Sequence, residues 1–94
     1  MKLAIAILNW NGLELLKRFL PSLCKYTSET YQIYIIDNCS EDDSVNFIKK
    51  NFDRIKVIKL NKNYGYAKGY NIGLKNINAE IICLLNNDVE VSKN

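Results

Sequence analysis

Two hydrophobic periods alternate along the chain, and they predict alternating strands and helices. Three continuous apolar runs, at residues 3–8, 33–36 and 81–85, are each closed by polar turn residues. Short runs rich in β-branched side chains are typical of strands that are buried on both faces of a parallel sheet. A fourth run at 56–60 alternates with lysine, which predicts a strand at the edge of the sheet.

The segment after the first run carries apolar residues at helical spacing. Its leucines recur three and four residues apart, at Leu13, Leu16, Leu20 and Leu23. This spacing places them on one stripe of an amphipathic helix. Pro21 falls inside the stripe, and we expect it to kink the helix or to start a second one because proline lacks a backbone N–H.

Two further helices are predicted. Ser40 and Asp43 have the spacing of a capping pair, which favours a helix start between the second and third runs. The apolar residues that this helix is expected to bury are Val45, Ile48 and Phe52.

The third helix is expected over about 67–77. Glycines recur every four residues around its start, at Gly65, Gly69 and Gly73, which indicates either a smooth face packed on the sheet or a backbone that approaches a ligand.

The resulting order, β-α-β-α-β-α-β, predicts an α/β fold with a Rossmann-like parallel sheet flanked by helices. We expect the strand order 3-2-1-4, with the third helix on the opposite face from the first two. Open sheets of this kind bind ligands beyond the carboxyl ends of the strands, where the winding reverses. That point lies between strands 1 and 4.

Composition narrows the class of protein. The length of 94 residues permits one domain, and the net charge of +3 is spread without a basic block, so we expect no nucleic-acid partner. The absence of histidine excludes Ser–His–Asp and Cys–His nucleophiles. Cys24, Cys39 and Cys83 lack CxxC spacing and predict reduced, buried thiols in a cytoplasmic protein. The longest apolar run is too short to cross a membrane.

Polar clusters follow all four predicted strands. They are Asn9–Gly12, Asp37–Ser40, Asn61–Gly65 and Asn86–Asp88. No GxGxxG or Walker loop follows strand 1. Trp10 is either a core residue or a stacking surface for a base. Asp37 is placed to accept hydrogen bonds from a base or ribose, and Asp88 is an oxygen ligand suited to Mg²⁺ or Mn²⁺.

Four blocks of the chain together resemble the family 2 glycosyltransferases. They are LNWNG at 8–12, IDNCS at 36–40, NYGYAKGYNIG at 63–73 and LLNND at 84–88. The resemblance implies the amino-terminal, nucleotide-sugar-binding part of a GT-A fold, spanning 1–94 as a single and apparently truncated domain. The first and third blocks look most similar to bacterial rhamnosyl and other polysaccharide-building transferases.

The resemblance also implies roles for individual residues. Asn9, Trp10 and Asn11 match the segment that wraps a uracil or thymine ring. Asp37 and Asn38 match the pair that holds base and ribose. Lys68 and Asn71 match the block that reaches toward the nucleotide.

A fourth match concerns the metal. Asn86, Asn87 and Asp88 match the DxD signature, whose last carboxylate binds the divalent cation on the diphosphate. Because two of the three positions are asparagine here, we expect weak metal affinity in the absence of nucleotide. Asn38 likewise stands where many relatives have a second aspartate.

By resemblance, the reaction is transfer of a sugar from a nucleoside-diphosphate donor to a hydroxyl of a saccharide or lipid-linked acceptor, with inversion. The catalytic base is expected downstream of Asp88, outside these residues. We therefore expect the 94-residue chain alone to bind nucleotide poorly and to transfer no sugar. We also expect a cytoplasmic location, and the inner face of the membrane is one alternative within it. The exposed edge of strand 4 is expected to form a homodimer.

Two other classes of protein stay open at this point. The loss of acidic residues at 38, 86 and 87 is compatible with a non-catalytic nucleotide-sugar-binding or interaction module. A small flavodoxin-like or receiver domain is a third class. A receiver requires paired acids after strand 1, where this chain has Asn9-Trp10-Asn11-Gly12.

Overall fold

A computed structural model of the chain describes residues 2–85. The strands are β1 (Leu3–Asn9), β2 (Tyr31–Asp37), β3 (Ile55–Lys59) and β4 (Ile81–Leu85). The helices are α1 (Leu13–Tyr26), α2 (Ser44–Asn51) and α3 (Tyr66–Leu74). Strands and helices alternate from β1 to β4, as the hydrophobic periods predict.

The four strands form one parallel sheet in the order β3-β2-β1-β4, which confirms the predicted order and the edge position of β3. In the register of the two central strands, Asn9 is the partner of Asp37. On the other side of β1, the last paired residues are Ile7 and Leu85. The carboxyl ends of β1, β2 and β4 therefore meet at one edge of the sheet.

Helices cover the two faces of the sheet unequally. Ile5 and Ile7 of β1 point into the core formed with α1 and α2. The alternate residues Ala4 and Ala6 point into the core that contains Tyr70 of α3. Because successive side chains of a strand face opposite sides, α3 lies on the opposite face from α1 and α2, as predicted.

Two of the three spaced glycines allow α3 to approach the sheet closely. A Cβ at Gly73 would lie 2.5 Å from Ile36 Cδ1, and a Cβ at Gly69 would lie 2.9 Å from Asn38 Nδ2. The prediction of a smooth packed face is thus confirmed for these two positions. Gly65 differs, because its φ of +81° is a backbone conformation that L-residues rarely adopt and a Cβ there would meet no atom within 4 Å.

Two predictions about where helices begin need correction. Helix α1 continues through Pro21, so no second helix starts there; buried Leu16, Leu20 and Leu23 stabilise the helix on both sides of the proline. Helix α2 begins at Ser44 rather than after Ser40, whose side chain bonds to Asp37 instead.

The burial predicted for α2 is only partly right, and α3 is shorter than expected. Ile48 is fully buried, whereas Val45 and Phe52 are half-buried at the margin of the core. Helix α3 ends at Leu74, where the chain turns toward β4.

Strand β4 is much less buried than its continuous apolar run predicts. Ile81 and Leu84 are 47% and 50% exposed, and Cys83 is exposed as well. Within residues 2–85, no strand pairs with the outer edge of β4. The expected homodimer through this edge stays a prediction.

The prediction of buried cysteines is wrong for two of the three. Cys24 is half-buried on α1, but Cys39 lies in the exposed turn after β2 and Cys83 is exposed on β4. An apolar run does not show whether a covering element exists, so the run at 81–85 does not by itself predict the burial of Cys83 on β4. In the described part of the chain, no helix is long and apolar enough to cross a membrane.

Candidate functional site

The loops after β1 and β2 are joined by a buried polar pair. Asn9 and Asp37 are partners in the sheet register, and Asn9 Nδ2 donates a hydrogen bond of 3.0 Å to Asp37 Oδ1. The Asn38 amide donates to the Asn9 carbonyl at 2.8 Å. All three residues are buried. These three predicted site residues are thus brought together at the sheet edge, and the side chains of Asn9 and Asp37 face each other.

Asp37 also organises the turn that follows it. Its Oδ1 accepts from Ser40 Oγ at 2.6 Å, and its Oδ2 accepts from the Ser40 amide at 2.9 Å. This is the local side-chain-to-backbone bonding that aspartate favours in turns. The carboxylate is fully buried and accepts three hydrogen bonds from the protein itself. Contact of Asp37 with a nucleotide stays a prediction. Ser40 is a structural residue of the site, and its spacing to Asp43 in the sequence indicates a helix cap instead of this role.

Asn11 ties the first loop to the second. Its Oδ1 accepts from the Glu41 amide at 2.7 Å and from the Asp42 amide at 3.3 Å. Its own amide donates to Ser40 Oγ at 2.9 Å. The φ of Asn11 is +49°, in the left-handed region that asparagine tolerates better than most residues. The side chain predicted to wrap a base therefore braces the backbone of the β2–α2 loop.

One carboxylate caps two helices in this region. Asp42 Oδ2 accepts from the Leu13 amide at the start of α1 at 3.1 Å, and Oδ1 accepts from the Ser44 amide at the start of α2 at 3.0 Å. Ser44 Oγ donates to the same carboxylate. Desolvation acts to raise the pKa of Asp42, but these hydrogen bonds outweigh it and hold that pKa below its usual value. The residues next to both helix starts, Gly12 and Asp43, make no side-chain cap of their own.

Asn38 connects the second loop to the third. Its Nδ2 donates to the Gly65 carbonyl at 2.9 Å, and its Oδ1 accepts from the Tyr64 amide at 3.0 Å. An aspartate in the same place has no hydrogens for the Gly65 carbonyl when it is ionised. The amide side chain at position 38 is therefore matched to the two backbone groups that it holds.

An open cleft of about 370 Å³ lies above this network, between the loops. The residues that line it are Leu8, Trp10, Asn11, Gly12, Leu15, Asn38, Asn63, Gly65 and Tyr66. Trp10 is 53% exposed and Tyr66 is 63% exposed, so Trp10 is a surface residue of the cleft rather than a core residue. Sequence reasoning did not single out Tyr66, although it lies inside the third block of the resemblance.

The remaining predicted site residues lie elsewhere. Lys68 and Asn71 are exposed on α3, outside the lining of the cleft, and Lys68 Nζ lies 5.4 Å from the centroid of the Tyr64 ring. The predicted metal segment, Asn86 to Asp88, lies outside the described residues. Within residues 2–85, no three acidic, cysteine or histidine side chains are grouped so that they could hold a metal ion. The expected cation site thus depends on Asp88 and stays a prediction.

Tyr70 links two strands where their regular pairing ends. Its hydroxyl accepts a hydrogen bond of 3.0 Å from the Leu8 amide of β1 and donates one of 2.9 Å to the Leu85 carbonyl of β4. Burial raises the pKa of this hydroxyl, although the bond from Leu8 acts in the opposite direction. Only the position of Tyr70 among the glycines of α3 gave a signal in the sequence, and that signal does not identify its partners.

The fold and the position of the cleft define an α/β domain of the GT-A type, with polar loops at the carboxyl edge of a parallel sheet. The sequence matches the model of glycosyl transferase family 2 over residues 4–94. The chain belongs to this family. The resemblance seen in its four sequence blocks is thereby confirmed.

Individual relatives agree with this assignment. The chain is 32% identical over 90 residues to YwdF of Bacillus subtilis (strain 168), described as an uncharacterized glycosyltransferase; the match covers 94% of this chain and 33% of that protein. A crystal structure of S. aureus TarS residues 1–349 with UDP-GlcNAc is 26% identical, with a TM-score of 0.85 over 99% of this chain and 28% of that one.

The fold extends to a more distant structure. The mannosyltransferase PcManGT of Pyrobaculum calidifontis, solved with GDP-Man and Mn²⁺, has a TM-score of 0.83 at 15% identity. The match covers 98% of this chain and 29% of that protein. The chain thus spans about a third of the length of these relatives or less.

Proposed function

We propose that this chain forms the donor-binding part of a glycosyltransferase, which transfers a sugar from a nucleoside-diphosphate sugar to an acceptor hydroxyl. The observation that carries the proposal is the open cleft at the carboxyl edge of the sheet, which is lined by residues at and after the ends of β1, β2 and β3. Open α/β sheets bind ligands at this point. Membership of glycosyl transferase family 2 and the likeness to TarS, whose structure contains UDP-GlcNAc, support it.

Within the cleft, the residues divide into supports and contacts. Asn9 and Asp37 are buried, and they form hydrogen bonds to one another and to Ser40, which makes them supports of the loops. The Trp10 ring is exposed and lines the cleft, which suits stacking on a base. Stacking of a base on an aromatic ring contributes about 1–3 kcal/mol.

We assign the divalent cation, Mg²⁺ or Mn²⁺, to Asp88, with the diphosphate of the donor as its second source of ligands. One carboxylate combined with phosphate oxygens is a common arrangement for Mg²⁺. Asn86 and Asn87 would offer neutral contacts beside it. The cation would stabilise the negative charge that develops on the departing diphosphate.

A thermal-shift panel tests donor binding. UDP, GDP and dTDP, and their sugars, are each added with and without Mn²⁺, and a rise in Tm with at least one of them is expected. Asp88→Ala should abolish the Mn²⁺-dependent part of the shift. If no nucleotide raises the Tm of the unmodified protein, the proposal fails; if Asp88→Ala leaves the Mn²⁺ dependence unchanged, only the cation assignment fails.

Trp10→Ala tests the stacking contact. The variant should bind the best nucleotide of the panel about fivefold or more weakly, since stacking is worth about 1–3 kcal/mol. Tyr26→Ala is the matched control, because Tyr26 is also an exposed aromatic residue but lies at the far end of α1. Equal affinities of the two variants, measured by calorimetry, would show that the base does not stack on Trp10.

A non-catalytic binding module is the second candidate, and the asparagines at 86 and 87 are the observation that favours it. The two candidates predict the same nucleotide binding and differ in turnover. Release of the nucleoside diphosphate from its sugar by the full-length protein, in the presence of saccharide or lipid-linked acceptors, distinguishes them. Inversion, the acceptor and a location at the inner face of the membrane belong to the transferase proposal. The same assay with defined acceptors tests the acceptor, the anomeric configuration of the product tests inversion, and membrane fractionation tests the location.

A further inference from the structure

The carboxyl ends of β1 and β4 differ in how firmly the structure holds them. The loop after β1 is fixed by the Asn9–Asp37 pair and by the bond from the Asn38 amide to the Asn9 carbonyl. Strand β4 pairs with β1 on one side only within residues 2–85. Its exposed residues, Ile81 and Leu84 among them, show how little cover it receives from the described elements.

The Tyr70 hydroxyl lies at the point where these two strand ends separate. The sheet register ends with the pair Ile7 and Leu85, and the hydroxyl connects the next amide of β1, that of Leu8, to the carbonyl of Leu85. In a parallel sheet, such amide and carbonyl groups bond directly between strands. Here a side chain from α3 stands between them and sets their separation.

The surroundings of Tyr70 keep this hydroxyl in place. The residue is only 4% exposed, and its ring packs edge-to-face on Tyr66 with 5.1 Å between ring centroids. Gly69, directly before it in the chain, has no room for a Cβ against Asn38. The helix turn that carries Tyr70 is thus pressed onto the sheet, and the hydroxyl cannot move away without breaking both bonds.

The two strand ends lead into the two halves of the proposed donor site. Leu8 lines the cleft and is followed by Asn9 and Trp10, on the side proposed for the base. Leu85 is followed directly in the sequence by Asn86, on the side proposed for the diphosphate and cation. We propose that Tyr70 is a positioning residue of the donor site, whose hydroxyl sets the spacing between the base-binding loop and the diphosphate-binding strand end.

This inference rests on the proposed function and predicts an uneven loss of binding. The base side keeps its own network when the hydroxyl is removed, whereas the end of β4 loses the contact that holds it. Tyr70→Phe should therefore weaken binding of a nucleoside diphosphate with Mn²⁺ by about tenfold, which corresponds to about 1.4 kcal/mol. Binding of the matching nucleoside, which reaches only the base side, should change by less than about twofold.

The experiment uses whichever of UDP, GDP or dTDP binds the unmodified protein best, together with its own nucleoside. The dissociation constant of the diphosphate with Mn²⁺ is measured by calorimetry, and that of the nucleoside by competition. Tyr26→Phe removes a hydroxyl from an exposed tyrosine remote from the cleft and is expected to change neither constant. Ile33→Val trims a fully buried residue of β2 and controls for a general loss of stability.

The outcomes separate the two hypotheses. A selective loss for the diphosphate in Tyr70→Phe, absent from Ile33→Val at comparable Tm, supports the positioning role. Equal losses for both ligands, or no loss, would overturn it while leaving the proposed function intact. If none of the three diphosphates binds the unmodified protein, the proposed function itself fails, and this inference with it.

Hydrogen exchange gives a second measurement if Tyr70→Phe does not fold. In the unmodified protein, the Leu8 amide should exchange slowly, because it donates to a buried hydroxyl. Because coupling between sites is reciprocal, the diphosphate with Mn²⁺ should slow this exchange more than the nucleoside does. Fast exchange in the free protein, or the same rate with both ligands, would contradict the inference.

Discussion

The carboxylate of Asp37 offers a sharp test of how the site is built. Its two oxygens accept hydrogen bonds from Asn9 Nδ2, Ser40 Oγ and the Ser40 amide, at 3.0, 2.6 and 2.9 Å. Asp37→Asn preserves the shape of the side chain but converts one acceptor into an NH₂ donor. Whichever way the new amide is oriented, that donor faces a group that also donates.

The cost follows from the number of bonds lost. If the NH₂ group of the new asparagine takes the Oδ2 position, the hydrogen bond from the Ser40 amide is lost. If it takes the Oδ1 position, the two bonds from Asn9 Nδ2 and Ser40 Oγ are affected. A buried polar group left without its partner costs about 1–3 kcal/mol. We therefore expect Asp37→Asn to lower the free energy of unfolding by about 2 kcal/mol in the absence of any nucleotide. For a domain of this size, that corresponds to a decrease in Tm of roughly 10 °C.

Thermal unfolding followed by circular dichroism, without added nucleotide, measures this effect. Asp53→Asn is the matched control, since Asp53 is exposed in the turn before β3, and its Tm should stay close to that of the unmodified protein. The reasoning is refuted if Asp37→Asn leaves the Tm unchanged and abolishes nucleotide binding. That result would mean that the carboxylate serves the nucleotide and not the loops.

Three further predictions concern the packing and the titration of groups around the site. Gly73→Ala should lower stability by about 1–3 kcal/mol in denaturant unfolding, because the new Cβ would lie 2.5–2.6 Å from Ile36 carbons; the penalty should disappear in an Ile36→Ala background. Asp42→Ala should cost about 1 kcal/mol through the loss of two helix caps. Because the pKa of Asp42 is lowered in the folded protein, the ionised carboxylate stabilises the fold above about pH 4, and this stabilisation is lost as pH falls through the folded pKa. The difference in Tm between the variant and the unmodified protein should therefore vanish in acid. The pKa of Tyr70 is raised in the folded protein, so its neutral hydroxyl stabilises the fold below about pH 10, and this stabilisation is lost as pH rises through the folded pKa. The amount by which the Tm of the unmodified protein exceeds that of Tyr70→Phe should shrink in that alkaline range.

Much of the fold could be predicted from periodicity alone. The apolar runs and the helical leucine stripe determine the order of elements, and handedness rules then leave few topologies. The strand order and the face occupied by α3 were predicted on this basis and are confirmed. The burial of β4 was not predictable in the same way, because an apolar run reports what a strand is able to bury and not what is present to cover it.

The site was only partly predictable, for a reason that concerns the polar residues. Turn-forming asparagines and aspartates at strand ends indicate where a site lies, but not whether each side chain faces a ligand or its neighbours. Asp37 and Asn38 face their neighbours, as their hydrogen bonds to Ser40 and to Gly65 show. Ser40 has the spacing of a helix cap, and only the geometry of the turn after β2 directs it to Asp37 instead.

The buried network changes what the exposed residues of the cleft are expected to do. Because Asn9, Asp37 and Asn38 hold the three loops through internal hydrogen bonds, the cleft is formed without a nucleotide. A preformed site avoids part of the entropic cost of ordering loops on binding. Trp10 is left 53% exposed above this network, where it contributes little to folding and offers a ring face to a base. Substitutions should consequently separate into two groups: changes in the network lower the Tm of the free protein, whereas a change of the Trp10 ring weakens nucleotide binding and leaves that Tm nearly unaltered.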